Sequence, residues 1–224
     1  MSKLPLFDPL HVPVLRVDRH LAGVPSQQFT AQALKARFAN PPSWQPELVR
    51  ERAFLDREPA PAAVLVGLVM RDEPTVLLTQ RTAHLSTHSG QIAFAGGKSD
   101  PEDRDASATA LREAYEEVGL APQHVQVLGE LPVYITGSAF HVTPVVALIS
   151  PDMTLCTNPF EVAHAFEVPL SFLMDPSNHR WHRVEHEGVQ REWLSMPYQD
   201  GAYERFIWGA TAGMLRNFYC FLRA

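Results

Sequence analysis

The chain has 224 residues, of which 46% are apolar and 20% charged, a balance that supports a packed core and excludes a disordered chain. Its formal net charge is −6 and it holds no run of Lys or Arg, which argues against a nucleic-acid polymer as partner. Nowhere do eighteen apolar residues follow one another, which argues against membrane spanning, and the two cysteines, Cys156 and Cys220, form no C-x-x-C pair. Both read as small packing residues suited to a reducing compartment, so the expected location is cytoplasmic.

In chain order, residues 1–61 hold nine prolines and one short helix over 30–38, where Ala31, Leu34 and Phe38 recur at three- and four-residue spacing. This predicts an N-terminal arm over 1–59 ahead of one domain over 60–224. The apolar run 62–70 reads as a buried strand, and 75–80 as its hairpin partner across Arg71-Asp72-Glu73-Pro74. A short strand over 92–95 is stopped by Gly96-Gly97. A helix then starts at Asp105 or Ser107, either of which can cap free N–H groups, and ends at Gly119, with Pro122 beyond it. Strands follow over 125–133 and 140–149, and Pro144 argues for an edge or a bulge in the second. Residues 170–174 form a helical turn, and 180–187 and 189–196 flank Gly188 as a hairpin. The closing helix, 211–222, places Ala212, Leu215, Tyr219 and Leu222 on one face. The expected fold class is α/β (α+β), a mixed sheet sandwiched between helices.

The helix after the Gly pair carries the chemistry. At about 100° per residue, Glu113, Glu116 and Glu117 share one arc of roughly 100°, beside a packing face of Ala110, Leu111, Ala114 and Val118. Glu113 and Glu117 are an i,i+4 like-charge pair, which costs a helix about 0.2 to 0.5 kcal/mol when unshielded, and Arg112 relieves only part of that. A hard divalent cation that takes oxygen ligands, such as Mg²⁺, would relieve the rest and would also carry substrate phosphates.

From Gly97 to Leu120 the chain resembles the Nudix hydrolase signature. Arg112-Glu113-Ala114-Tyr115-Glu116-Glu117-Val118-Gly119-Leu120 matches its second half, with Ala114 small for an apolar position. In the first half, Asp103 stands six positions after Gly97 where the signature has Glu, and eight residues rather than seven separate it from Arg112. This longer spacing is similar to that of the coenzyme A pyrophosphatases, as is the upstream segment Leu77-Leu78-Thr79-Gln80-Arg81-Thr82, Ser86, Gly90, Phe94-Ala95-Gly96-Gly97. There Thr82 replaces Ser or Ala, Ser86 replaces an Arg suited to phosphates, and Ala95 replaces Pro.

The resemblance implies a Nudix-type fold and metal-dependent hydrolysis of a phosphoanhydride in a small-molecule nucleotide. Coenzyme A or an acyl derivative is the first expectation, and ADP-ribose, a dinucleotide or a nucleoside triphosphate the rival. A non-catalytic nucleotide-binding module is the rival from another class. The resemblance further implies Mg²⁺ or Mn²⁺ on Glu113, Glu116, Glu117 and the carbonyl of Gly96, with Arg112 pinning a carboxylate. The general base is Glu161, which lies where related enzymes place a loop residue, or else Glu113. Arg81 and Lys98 are the cations nearest the motifs, and Phe94 packs near the turn, so these three are the candidate substrate contacts. His84, His88 and His141 match no zinc spacing. The sequence allows a homodimer.

Overall fold

The computed structural model describes residues 8–51, 58–83, 90–186 and 189–224. Along the chain these form β1 (Val14–Val17), α1 (Ala31–Ala39), β2 (Ala60–Val69), β3 (Thr75–Arg81), β4 (Ile92–Ala93), β5 (Ala95–Lys98), α2 (Ala106–Val118), β6 (Val125–Glu130), β7 (Tyr134–Ile135), β8 (Phe140–Ile149), β9 (Val162–Pro169), α3 (Leu170–Leu173), β10 (Arg180–His186), β11 (Val189–Asp200), β12 (Tyr203–Trp208) and α4 (Gly209–Arg223). Short 3-10 turns separate some of them. The architecture is α+β, with a mixed sheet between helices, as the sequence predicts.

The two longest apolar runs, β2 and β8, pair in parallel from Ala60 against Phe140 to Val69 against Ile149. Both faces of such a pair must be covered, and alternate residues divide between two cores. Val66, Leu68, Val146 and Leu148 point into a larger core that holds Met214, Leu215 and Phe218 of α4 and Leu194, Met196 and Ile207 of a second sheet. Leu65, Val69, Val145, Ala147 and Ile149 point the other way, onto Ala110, Ala114 and Val118 of α2. The mixed sheet runs β4-β3-β2-β8-β6, with β5 added on β2, β7 on β8 and β9 on β3.

Four findings differ from the sequence reading. A second, antiparallel sheet, β1-β10-β11-β12, stands beside the mixed one, and β1, β9 and β12 all fall where no strand was expected. Pro144 lies in neither an edge strand nor its own bulge: β8 is interior, paired with β2 on one side and with β6 and β7 on the other. Its carbonyl accepts from Leu131 N–H at 2.9 Å, so its missing N–H faces the same side, where β6 ends and β7 has not begun. The bulge of this region is in β6, between Val127 and Gly129. Cys156, expected to pack, is exposed.

The fourth finding is how deeply the segment before residue 60 is built in. Val24, Phe29 and Leu34 belong to the larger core, Leu34 fully buried, and β1 pairs with β10. Buried Asp18 accepts from Trp181 Nε1 at 2.8 Å and lies 3.1 Å from Arg216 Nη1 of α4. Arg216 also donates to Glu47 at 2.6 Å and to His179 Nδ1 at 3.0 Å. Burial pushes His179 down to about 4, so its ring is neutral, with the Nε2 proton on the Leu173 carbonyl at 2.8 Å. Buried charges are tolerable only when paired and hydrogen-bonded in this way.

Candidate active site

Helix α2 has the limits its sequence signals. Asp105 caps it by accepting from Ala108 N–H at 2.8 Å, and Gly119 closes it at φ +68°. Its buried alanines let it lie close on β5, where the Gly pair matters by its lack of bulk. A Cβ on Gly97 would sit 2.6 Å from the Glu113 carboxyl carbon, and one on Gly96 2.5 Å from the Ala63 carbonyl. Glu113 and Glu117 are therefore seated directly over the Gly pair, which lies within β5, paired to Ala63 and Val64 of β2, and does not stop the strand as the sequence predicts.

Each of the three glutamates has a different environment. Glu117 is buried, with its side chain 5% exposed; it accepts from Gly96 N–H at 3.3 Å and lies 3.8 Å from Arg81 Nη1. Burial pushes it up to about 7, the nearby Glu113 and Glu161 adding to the shift. Burial also raises Glu113, opposed by its hydrogen bond from Arg112. Glu116 is exposed and accepts from Arg112 Nη1 at 3.1 Å.

Arg112 is the hub of this face. Nε and Nη2 grip the two oxygens of Asp103 at 3.1 and 2.8 Å, Nη1 reaches Glu113 at 2.9 Å as well as Glu116, and Nη2 also donates to the Lys98 carbonyl at 3.1 Å. Asp103 accepts further bonds from Thr109 Oγ1 and Asp100 N–H, both at 2.9 Å. The hydrogen bonds from Arg112 hold its carboxyl well below the usual range. The sequence reading registered Asp103 as a departure and gave it no role. Despite both departures from the signature, it meets Arg112 with both carboxylate oxygens.

Glu161 stands just before β9, on a turn tied to both α2 and β3. Asn158 N–H donates to the Glu117 carbonyl and Cys156 N–H to the Val118 carbonyl, each at 2.8 Å, which occupies carbonyls at the helix end. Thr82 N–H donates to the Glu161 carbonyl at 2.9 Å. Neither Asn158 nor Thr82 was singled out as a site residue from the sequence; the available signal was the Asn158-Pro159 pair, which marks a turn.

The structure thus brings Gly96, Glu113, Glu117, Arg112, Arg81 and Glu161 together along the C-terminal half of α2, with Glu116 on its exposed rim. Among the described residues, Arg81 Nε is buried without a hydrogen-bond partner. Lys98 is exposed at the end of β5. Phe94 is a correction: 3% exposed, it packs in the larger core, on the sheet face away from α2. His141 is exposed; His84, His88 and Ser86 lie outside the described residues.

Among the described residues no three carboxylates, imidazoles or thiols form a ready-made cage, and Arg112 Nη1 donates to both Glu113 and Glu116. The donors nonetheless fit a hard cation. They are oxygens only, the buried Glu117 carboxyl has a long ion pair and one backbone hydrogen bond in place of full solvation, and Gly97 leaves the space beside Glu113 that any side chain would fill.

A family model of the NUDIX domain matches residues 60–198. The chain is 44% identical over 156 residues to a protein of Photorhabdus laumondii named uncharacterized Nudix hydrolase NudL, covering 70% of this chain and 81% of that one. It is also 44% identical to the protein of the same name from Yersinia enterocolitica, over 70% and 78% of the two chains. Among solved structures, a Nudix hydrolase from M. smegmatis, RenU, superposes with a TM-score of 0.44 at 24% identity, over 51% of this chain and 73% of that one.

Proposed function

The chain belongs to the Nudix family, whose hydrolases act on phosphoanhydride bonds and generally use divalent metal ions, and from that premise we propose that it cleaves the pyrophosphate of coenzyme A or acyl-coenzyme A. The products are adenosine 3′,5′-bisphosphate and a 4′-phosphopantetheine. The observation that carries the hydrolytic reading is the gathering of Glu113, Glu117 and Glu161 about the Gly96-Gly97 pair of β5 with Arg81 beside them. The coenzyme A assignment rests on the likeness of the 77–97 segment to that branch.

In this reading Glu113, Glu116, Glu117 and the Gly96 carbonyl hold Mg²⁺ or Mn²⁺. When bound, the ion supplies charge neutralisation at the diphosphate and acidifies water. The protein's own groups do the rest by position and charge. Arg112, itself fixed by Asp103, sets the directions of Glu113 and Glu116. Glu161 takes the proton of the attacking water, with Glu113 as the second candidate. Arg81 pairs with phosphate oxygens, and Lys98 adds a cation at the rim. All of these lie within 60–224, taken as the catalytic domain, while Val24, Phe29 and Leu34 of the arm pack in the core on the other face of the sheet.

The replacement of Arg by Ser86 and of Pro by Ala95 favours a second reading, in which another nucleoside diphosphate compound such as ADP-ribose is the substrate. Phosphorus NMR of coenzyme A and of ADP-ribose, each incubated with the protein and Mg²⁺ or Mn²⁺, separates the two. Release of adenosine 3′,5′-bisphosphate supports the first; cleavage of ADP-ribose alone overturns it and keeps the chemistry. No cleavage of either, with nucleotide still bound, points to a binding module.

A further inference from the structure

Glu161 lies in a turn rather than on a helix, close enough to Glu113 and Glu117 to act on their charges, so its carboxylate needs a support of its own. The turn hangs from two parts of the site. On one side Asn158 N–H donates to the Glu117 carbonyl at 2.8 Å, while the Asn158 carbonyl accepts from Glu161 N–H at 3.1 Å and Val162 N–H at 2.9 Å. On the other side Thr82 donates its N–H to the Glu161 carbonyl at 2.9 Å and its Oγ1 proton to the Phe160 carbonyl at 3.1 Å. The Asn158 side chain closes the turn. Its Oδ1 accepts from Phe160 N–H at 3.1 Å, which fixes the orientation of the amide and leaves Nδ2 facing Glu161, 3.4 Å from Oε1.

We propose that Asn158 is a positioning residue for the hydrolysis: it joins the backbone of Glu117 to that of Glu161 and aims the Glu161 carboxylate through its side-chain amide. The helix bearing the metal-binding carboxylates and the loop bearing the base are thereby set in one register. This rests on the reading of Glu161 as the group that takes the proton. An amide suits the task for a chemical reason. A neutral donor orients the carboxylate through a hydrogen bond without setting a second charge beside it. Asn also offers an acceptor for the Phe160 N–H from the same side chain, which no aliphatic residue does.

The test is Asn158→Asp in the full-length protein, assayed with Mg²⁺ or Mn²⁺ on whichever of coenzyme A and ADP-ribose the wild type cleaves. Asp keeps the acceptor for Phe160 N–H and the whole backbone pattern, but replaces the donor to Glu161 by a like charge. The expected result is a fall in kcat of about tenfold or more, the usual effect of losing an orienting partner, with KM changed by less than about twofold. In a Glu161→Gln background the same substitution should add almost nothing, because its target is already gone. Asn158→Ala in the same cycle gives the same readout if the Asp variant folds poorly. Wild-type kcat in Asn158→Asp, beside a Glu161→Gln that has lost turnover, overturns the positioning role and leaves Glu161 as the base. Losses that multiply in the double variant also overturn it, since Asn158 would then act independently of Glu161. Wild-type kcat in Glu161→Gln removes the base assignment and the positioning role together, as does the absence of any cleavage by the wild type.

Discussion

Gly97 and Glu113 share one space: a Cβ on Gly97 would lie 2.6 Å from the Glu113 carboxyl carbon and 2.6 and 2.7 Å from its two oxygens. The contact is with the end of a side chain, so Gly97→Ala should leave the fold intact and push the carboxylate aside. A displacement of about 1 Å at a reacting centre costs on the order of a hundredfold in rate. The expected outcome is a loss of that order in kcat with a small change in melting temperature, read by steady-state kinetics and circular dichroism. Full activity in this variant would show that Glu113 is not used in the position the structure gives it.

Asp103 and Arg112 form the second relationship with a kinetic consequence. Asp103→Asn removes the charge from the two-oxygen grip and frees Arg112 to swing toward the carboxylates it now orders. Loss of such an outer partner lowers metal affinity or activity by about 10- to 100-fold. Titration of Mn²⁺ against activity should show a higher metal requirement in this variant. Asp103→Glu, although closer to the family signature, should not improve on the wild type, because Asp103 already meets Arg112 with both oxygens.

The pH dependence follows from Glu117. Its carboxyl is raised from 4.5 to about 7, chiefly by burial, and Glu113 is shifted in the same direction. Below about 4.5 the carboxyl is protonated in both the folded and unfolded chains. Above that the unfolded chain releases its proton and the folded one retains it, so the contribution is fully present at low pH and is lost as pH rises through 7. For the metal-free protein this amounts to about 3 kcal/mol at most. A cation requires the ionised carboxylate, so its stabilising effect grows over the same window. Melting with Mn²⁺ and with EDTA at pH 5.5 and pH 8 should show the larger metal-induced rise at pH 8; equal rises would contradict a site built on Glu117.

Asp18 and Arg216 tie the arm to the closing helix, with side chains 6% and 4% exposed. Asp18→Ala leaves Arg216 in the core with only Glu47 to balance it, and removing one member of a buried pair costs about 3 to 5 kcal/mol. Urea unfolding should report a loss of that size. The folded fraction should keep the wild-type kcat, since neither residue belongs to the α2 end of the molecule.

These relationships differ in how legible they were in the sequence. The limits of α2 could be read because caps are local: Asp105 and Gly119 act within a turn of the residues they serve. The β2 and β8 runs could be read because strands buried on both faces are apolar throughout. β1 and β9 could not, since β1 is largely exposed, β9 is only partly buried, and their pairing lies with distant strands; β12 could have been suspected from Gly201 and the aromatic residues after it. The carboxylates of α2 were evident from helical spacing alone. The placement of Asn158 against Glu117 depends on long-range backbone hydrogen bonds that leave no periodic trace, and Phe94 falls between β4 and β5, where no strand alternation tells which face its ring takes.

The most direct test of the account is the turnover of Glu117→Gln, measured beside the wild type with saturating Mg²⁺ or Mn²⁺ on the preferred nucleoside diphosphate substrate, with the fold monitored by circular dichroism. Gln fills the same buried space and can still accept from Gly96 N–H, but carries no charge for a cation. The account predicts a folded protein whose kcat is down by about a hundredfold or more; a folded variant with wild-type turnover would contradict it.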